Sequence, residues 1–368
     1  LVCHNRRTFI NSNASVDEGD PIDMFGRLLV KLQEAFEFVF ISESKKVDYG
    51  VPGRVILPGI DVEAFGGYTG ETAKVLRVGN MMRGRNLMFD VDFQEAVCQN
   101  LPNHLVGLNP DILDAVPAES FKKLLHFYRS HRCLFHVSRY EYEDGYNLSM
   151  LEAMACGTPV VSLANVTSPI TDGVDGFTSY DPAILEERLQ TLLDNPELAR
   201  EMGARGRETV ARSFPIENFA EKWRCAIYEA ADVNIKSIPK NVHSEIKRPK
   251  VLLEYFSSLM TTGRYFEEAA RGIWNVHTTG YRVPEKVLTY WGFPEKTPPY
   301  STHQVDTPLN SSYEALLEKL PQGYQPDFLL WVDSGHKEMN PDIAALPFPK
   351  IGFFIDTHVA PQELLVMA

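Results

Sequence analysis

The sequence has no Cys-x-x-Cys pair, no His-Glu-x-x-His element and no clustered cysteines and histidines, so the usual zinc patterns are missing. No apolar run reaches the roughly 18–20 residues of a membrane span, and no basic segment precedes a short apolar core of the secretory kind. Positive charge is not in excess. Against 36 Lys and Arg stand 49 Asp and Glu, a formal net charge of −13, which argues against a general nucleic-acid binder. Cysteine is sparse: five scattered residues, an odd number, read as reduced thiols in a cytoplasmic setting. What is present is globular in balance, with 44% apolar and 23% charged residues. The 368 residues exceed one ordinary core, and two domains of roughly 150–200 residues are expected.

Short apolar runs alternate with helical patterns, the signature of parallel sheets with crossover helices. Strands are expected at Lys74–Gly79, Asn103–Gly107, Cys133–Ser138 and Pro159–Leu163, and amphipathic helices at Ile184–Asn195 and around Phe219, Trp223 and Ile227. A polar, basic stretch at Asn234–Lys250 reads as a linker. A second α/β pattern follows, with strands at Val251–Tyr255, Phe328–Val332 and Ile351–Ile355.

The front of the chain, a strand-like Leu1–Cys3, a helix near Met24–Phe38 and a strand at Phe38–Ile41, reads as the end of an α/β domain. The division expected is 1–65, 66–248 and 249–368. The two ends together are about as long as the middle, so they are expected to pack as one domain in permuted order, within a chain or as a domain-exchanged homodimer. Against a perfect fit, the strands ending at His4 and at His358 look like copies of one element. A cut from two consecutive units is the other reading.

The most informative segment is Glu143–Val161 (EDGYNLSMLEAMACGTPVV). Carboxylates in a Gly-containing loop lead into a short helix, which Gly157-Thr158-Pro159 stops before a buried strand. Leu148, Leu151 and Ala155 are expected to form the helix's apolar face, with Glu152 on another. A helix N-terminus offers free amides and a partial positive charge to a diphosphate. Acceptor-only carboxylates such as Asp144 and Glu152, eight positions apart, suit the hydroxyls of a sugar or ribose. Taken alone, Glu152 also fits a carboxylate that simply complements the helix dipole.

The segment resembles the donor-binding motif of retaining GT-B glycosyltransferases of the family-four type, also called glycosyl transferases group 1. The likeness continues through the turns at Asp172-Gly173 and Asp175-Gly176 to about Ala231, and Val55–Phe65 (VILPGIDVEAF) is similar to that family's hinge peptide. It covers residues 1–240. The resemblance implies an α/β, GT-B-like architecture: two Rossmann-type domains of parallel sheet facing a cleft, the acceptor-type domain permuted or incomplete. Residues 66–248 would be the donor domain, and 1–65 and 249–368 the closing and opening parts of the acceptor-type domain.

Carried over by position, Asp144 stands where the family has its first glutamate, one methylene shorter, and faces the donor sugar. Glu152 is the second and holds the ribose. Glu143 is an alternative to Asp144. Backbone around Gly145, Tyr146, Asn147, Leu148 and Ser149 would receive the diphosphate. The family's arginine and lysine after the first donor strand correspond to Asn80 and Arg85, with Arg83 a second cation. Such charge is needed as the leaving phosphate departs; a solvated basic turn is the plainer reading. Asn109 sits where relatives line the base pocket, or in an ordinary Asn-Pro turn. Ser168 lies in Asn165–Pro169 (NVTSP), which lacks the glycines and glutamate of the family's loop. On the acceptor side, the likeness of the last third implies that Thr261, Thr262 and Gly263 form the loop after its first strand and that Asp333, Asp356 and His358 sit at strand ends facing the cleft; His4, at the end of the opening strand, is a further acceptor-side candidate.

The function so implied is transfer of a sugar from a nucleotide diphosphate-sugar to a hydroxyl of a saccharide, glycoconjugate or protein, with retention and without metal or cofactor. A non-catalytic sugar-nucleotide-binding module is the main alternative, favoured by Asp144, Asn80 and the altered NVTSP loop. A sugar-nucleotide epimerase is a third.

Overall fold

The computed structural model describes residues 2–3, 30, 37–118, 120–143, 145–230, 248–255, 263–281, 286, 303–306, 312–332 and 346–353. The chain divides by its contacts into two compact units, one of residues 1–40, 49–54 and 224–368, the other of 41–48 and 55–223.

The second unit is built on five parallel strands. They are β4 (Thr72–Val78), β5 (Asn103–Val106), β6 (His131–His136), β7 (Val160–Leu163) and β8 (Phe177–Ser179), in the order β5-β4-β6-β7-β8. All four ladders are parallel, with Leu76 opposite Leu134 and Leu134 opposite Val160. Both faces are covered, which is why the strands read as near-continuous apolar runs. Leu76, Val106, Leu134 and Val160 pack under α4 (Phe121–Ser130) and α5 (Leu148–Cys156). Val75, Cys133, Phe135, Val161 and Phe177 pack against α3 (Val91–Cys98), α6 (Pro182–Asp194) and α7 (Pro196–Ser213). The strand order reverses direction between β4 and β6, the switch point beside which doubly wound sheets seat their ligands.

Local chemistry fixes the helix ends. The Ser120 hydroxyl accepts from the amide of Lys123 to open α4, and Asp181 caps α6 ahead of Pro182. Gly157, at φ +90°, ends α5 in the left-handed conformation that glycine adopts without strain. Leu185, Leu189, Leu192 and Leu193 of α6 are buried as their spacing implies, whereas Ile184 lies exposed.

The first unit holds a second parallel sheet, of β9 (Lys250–Tyr255), β10 (Asn275–Gly280), β11 (Val305–Asp306), β12 (Phe328–Val332) and β13 (Lys350–Phe353), in the order β11-β10-β9-β12-β13. Val251, Leu253 and Tyr255 face one core, with Ala270 of α9 (Gly263–Ile273), and Leu252 faces another, with Tyr313 and Leu316. A small separate sheet, β1-β2-β3, joins β1 (Val2–Cys3), β2 (Val39–Phe40) and β3 (Arg54–Val55).

β1 pairs with β2, and β13 pairs with β12, so the two ends of the chain share no ladder among the described residues. Residues 1–40 and 224–368 nonetheless fall in one contact unit. The unit boundaries differ from those read off composition. Residues 41–48 go with the second unit, and Leu57, Ile60, Val62 and Phe65 pack on its core, because their apolar side chains find cover there. The helix expected at Met24–Phe38 and the linker at Asn234–Lys250 lie largely outside the described residues.

Where α7 crosses the end of α5, a Cβ on Gly203 would lie 1.8 Å from the backbone oxygen of Gly157. Gly203→Ala is therefore expected to destabilise by about 2–3 kcal/mol or more, since backbone must move to relieve the overlap. Gly272 in α9 has nothing within 4 Å of its would-be Cβ. Gly272→Ala should stabilise slightly, by up to about 1 kcal/mol through helix propensity. Urea denaturation of the two variants, read as opposite shifts of midpoint, checks both.

Candidate functional site

At the carboxyl end of β4 the chain turns through Gly79–Arg85, and this turn is stitched to the loop after β5. The Asn109 side chain donates to the Gly79 oxygen (2.7 Å) and accepts from the amide of Met82 (2.7 Å). Asn80 Oδ1 accepts from the amide of Leu108 (2.8 Å), and the amide of Met81 donates to the Leu108 oxygen. A Cβ on Gly107, at φ +142°, would meet the Gly79 oxygen at 2.0 Å, so the loops touch only because glycine stands there. Asn109 is buried and Asn80 exposed. Both asparagines thus build the loop pair itself.

The two arginines of this turn part company. Arg83 extends to Glu95 of α3 in a half-exposed ion pair of 3.1 Å. Arg85 is exposed and precedes α2 (Asn86–Phe89), its guanidinium 4.9 Å from the centre of the Phe89 ring and 3.9 Å from Met88 Sδ.

The loop after β6 carries the motif. Glu143 is fully buried. Its Oε1 accepts from the amide of Gly145 (2.8 Å) and lies 2.9 Å from the Thr167 hydroxyl; its Oε2 accepts from Ser44 (3.1 Å) and is 3.5 Å from Lys45 Nζ. Both carboxylate oxygens are therefore turned inward onto the protein, in place of the donor-facing role expected of Glu143. Gly145 has φ +80°, and a Cβ there would lie 2.4 Å from Ile41 Cδ1. Asn147 caps α5, accepting from the amide of Met150 (3.1 Å) and from the Ser149 hydroxyl (2.5 Å). The amides of Leu148 and Ser149 lie in the first turn, which has no intrahelical acceptor to offer them.

Within α5 the faces differ from the expected ones. Leu148 is half exposed, whereas Met150, Leu151 and Ala153–Cys156 are buried. The Tyr146 ring stands edge-on to Phe214, 4.8 Å between centres, and so packs on the core of the unit. Glu152 is mostly covered rather than solvated: it accepts from the Tyr128 hydroxyl at 3.0 Å, and burial pushes its carboxyl up to about 7 despite that hydrogen bond. Ser168 accepts from the amide of Ile170 (3.3 Å), in a turn opened by Asn165, whose side chain accepts from the amide of Thr167. Gly263 begins α9. Asp144, Thr261, Thr262, Asp333, Asp356, His4 and His358 lie outside the described residues.

The structure thus gathers Asn80, Arg85, Asn109, Asn147, Ser149, Glu152 and Ser168 on loops and helix starts following strands of one parallel sheet. Sequence reading missed Lys45, Tyr128 and Thr167. Tyr128 sits on the apolar stripe of α4 and resembles any core tyrosine, and the other two meet Glu143 only through the fold. Among the described residues no three His, Cys, Asp or Glu side chains are grouped to hold a metal ion, and no helix is long and apolar enough to cross a membrane.

Glu152 gives a stability signature. Because its folded value, about 7, lies above the ordinary 4.5, the folded protein holds the proton more tightly between those pH values. Its contribution therefore falls as pH rises through that window and levels off above it, by up to about 3 kcal/mol. Glu152→Gln should flatten this fall in denaturant melts from pH 4.5 to 8. Tyr128→Phe should move its end to higher pH, since the lost hydroxyl stabilised the carboxylate.

Comparison with known proteins gives a match to the family described as glycosyl transferase-like over residues 94–224. A trehalose synthase of Pyrococcus horikoshii is 35% identical over 82 residues, 22% of this chain and 20% of that protein. A poly(ribitol-phosphate) alpha-N-acetylglucosaminyltransferase of Staphylococcus aureus is 34% identical over 92 residues, 24% and 18% of the two chains. The aligned parts span about a fifth of these relatives' lengths. Among solved structures, sucrose-phosphate synthase of Thermosynechococcus elongatus superposes with a TM-score of 0.50 at 18% identity, over 62% of this chain and 66% of that one. That likeness is one of fold, the GT-B type. The match over residues 94–224 to the glycosyl transferase-like family thus falls within the unit that carries the parallel sheet and its switch-point loops.

Proposed function

We propose that the chain is a glycosyltransferase that takes a sugar from a nucleotide diphosphate-sugar and places it on an acceptor hydroxyl of a saccharide or glycoconjugate, with retention of anomeric configuration. One observation carries most of this reading. A largely buried carboxylate, Glu152, stands in the second turn of a helix whose first two amides, of Leu148 and Ser149, have no intrahelical acceptor, beside the switch point of the sheet. The amides suit a diphosphate. The carboxylate suits a ribose diol, because it accepts from both hydroxyls once ionised. The activities that name the relatives above, all of them sugar chemistry, support the same class.

In this reading the bond from the sugar C1 to the diphosphate oxygen breaks while the acceptor oxygen bonds to C1 from the same face. The acceptor's proton passes to an oxygen of the departing phosphate. Arg85 is the cation proposed for the charge that builds there. Asp144 is proposed to face the sugar.

The non-catalytic alternative finds a specific observation in Asn80, which holds the Leu108 amide where the family has an arginine. Incubating the protein with nucleotide diphosphate-sugars separates the two. An enzyme of this type releases nucleotide slowly without acceptor, and a binding module does not. The anomeric configuration of the product, read by NMR, then tests retention.

Glu152→Ala should weaken nucleotide diphosphate-sugar binding by about 1.5–3 kcal/mol in calorimetry, the value of a charge-assisted hydrogen bond. Because the carboxyl of the free protein titrates near 7, the wild-type affinity should fall as pH drops below that value. The fall should approach tenfold per unit, and Glu152→Gln should show no such slope. A nucleotide-sugar is the right probe, its diphosphate being a diester with no proton of its own to titrate there. Arg85→Ala should lower kcat by more than it raises the donor dissociation constant, because its charge is needed most in the transition state. Equal kinetics would return Arg85 to the solvated turn.

A further inference from the structure

We propose that Lys45 is a positioning residue for the donor site: it holds the start of α5 in place through Glu143, and so acts on bound nucleotide without touching it. The proposal rests on the donor reading of α5 given above.

Lys45 lies on α1 (Glu43–Tyr49), a helix nearly a hundred residues before the motif. Its side chain and that of Glu143 are both fully buried. A buried ammonium and a buried carboxylate persist only when they meet and when their other hydrogen-bonding valences are filled. Here they are. Lys45 Nζ donates to the backbone oxygen of Glu143 and pairs with its carboxylate, and Ser44 donates to the same carboxylate.

The far oxygen of Glu143 accepts from the amide of Gly145, two residues before the helix cap Asn147. Thr167, in the loop after β7, stands 2.9 Å from that oxygen and 2.8 Å from the Gly145 oxygen. Three segments thus converge on one carboxylate: α1, the loop opening α5 and the loop after β7. Ile41 closes on Gly145 from the same side as α1, leaving no space for a Cβ. The amides of Leu148 and Ser149 follow directly from this anchored point. A site that must hold a diphosphate to within a fraction of an ångström needs such support behind its contacting groups.

The test uses the full chain in two measurements. Hydrogen exchange of the peptide spanning Gly145–Met150 is compared in wild type, Lys45→Met, Lys45→Arg and Glu143→Gln without ligand. Calorimetry then measures UDP-glucose, UDP-N-acetylglucosamine, GDP-mannose and ADP-glucose. Lys45→Met and Glu143→Gln should each speed exchange in that peptide by about tenfold, and weaken by about tenfold whichever nucleotide-sugar the wild type binds. The double variant should lose no more than either single one, because both act through one tie. Lys45→Arg should restore much of the affinity. If Lys45→Met does not fold, Ser44→Ala and Glu143→Gln carry the same comparison.

Unchanged exchange in the folded variants overturns the proposal. So does faster exchange with unchanged affinity, which would make the tie purely structural. A wild type that binds none of the four probes removes the donor reading itself, and with it the role of Lys45 in that site. The exchange result would still show whether Lys45 anchors the helix start, so the two failures are told apart.

Discussion

Strand β6 is buried along all six of its residues and hydrogen-bonded on both sides, to β4 and to β7. The rest of the second unit depends on that arrangement. A parallel strand in the middle of a sheet has no edge and no wet face, so its side chains must feed two cores at once. Leu134 does so on one side and Cys133 and Phe135 on the other. The same geometry sends every strand's carboxyl end in one direction. The loops after β4, β6 and β7 then gather without any side chain having been selected to bring them together.

On that foundation, and on the proposed reading, the polar residues divide into those that contact the donor and those that hold the site. Glu152 is largely immersed in the unit and holds its proton up to near neutrality, which burial produces against the pull of its hydrogen bond from Tyr128. Glu143, nine positions earlier, is wholly immersed and stays matched to a lysine. Two carboxylates in one motif thus have opposite tasks because one meets a hydroxyl, Tyr128, and the other an ammonium, Lys45. Carboxylates of the first unit are matched in the same manner: Glu254 accepts from Tyr313 at 2.6 Å in mid-sheet, and Glu267 from Tyr255.

Much of this was legible in the sequence, for reasons that particular residues make plain. β4, β6, β7, β9 and β12 were readable because two-sided burial writes contiguous apolar letters. β10 (NVHTTG) was not, since polar letters interrupt it and its threonines are satisfied by hydrogen bonds the sequence does not show: Thr279 donates to the Val305 oxygen, and Thr278 accepts from the amide of Gln304. β8, three residues long, carries no period at all. The cap that Asn147 places on α5 was not read from the motif, and neither was the inward turn of Glu143. It depends on Lys45 and Ser44, far away in sequence, and no pattern within the motif announces them. Position put Arg85 ahead of Arg83 as the cation. That Arg83 is paired with Glu95 while Arg85 stands beside Phe89 is known only from the fold.

The stitched loops after β4 and β5 carry one more consequence. Asn109 spans them with a bond at each end of its amide, and Asn80 returns a third from the opposite side. On the proposed reading, one of these loops borders the nucleotide's base and the other presents a cation to its phosphate. They are mechanically one piece. A lineage of such chains drifting toward another base would therefore be pulling on the leaving-group end at every step. Changes of donor preference should arrive with compensating changes around Gly79 and Met82, and an engineer who exchanges one loop should exchange both.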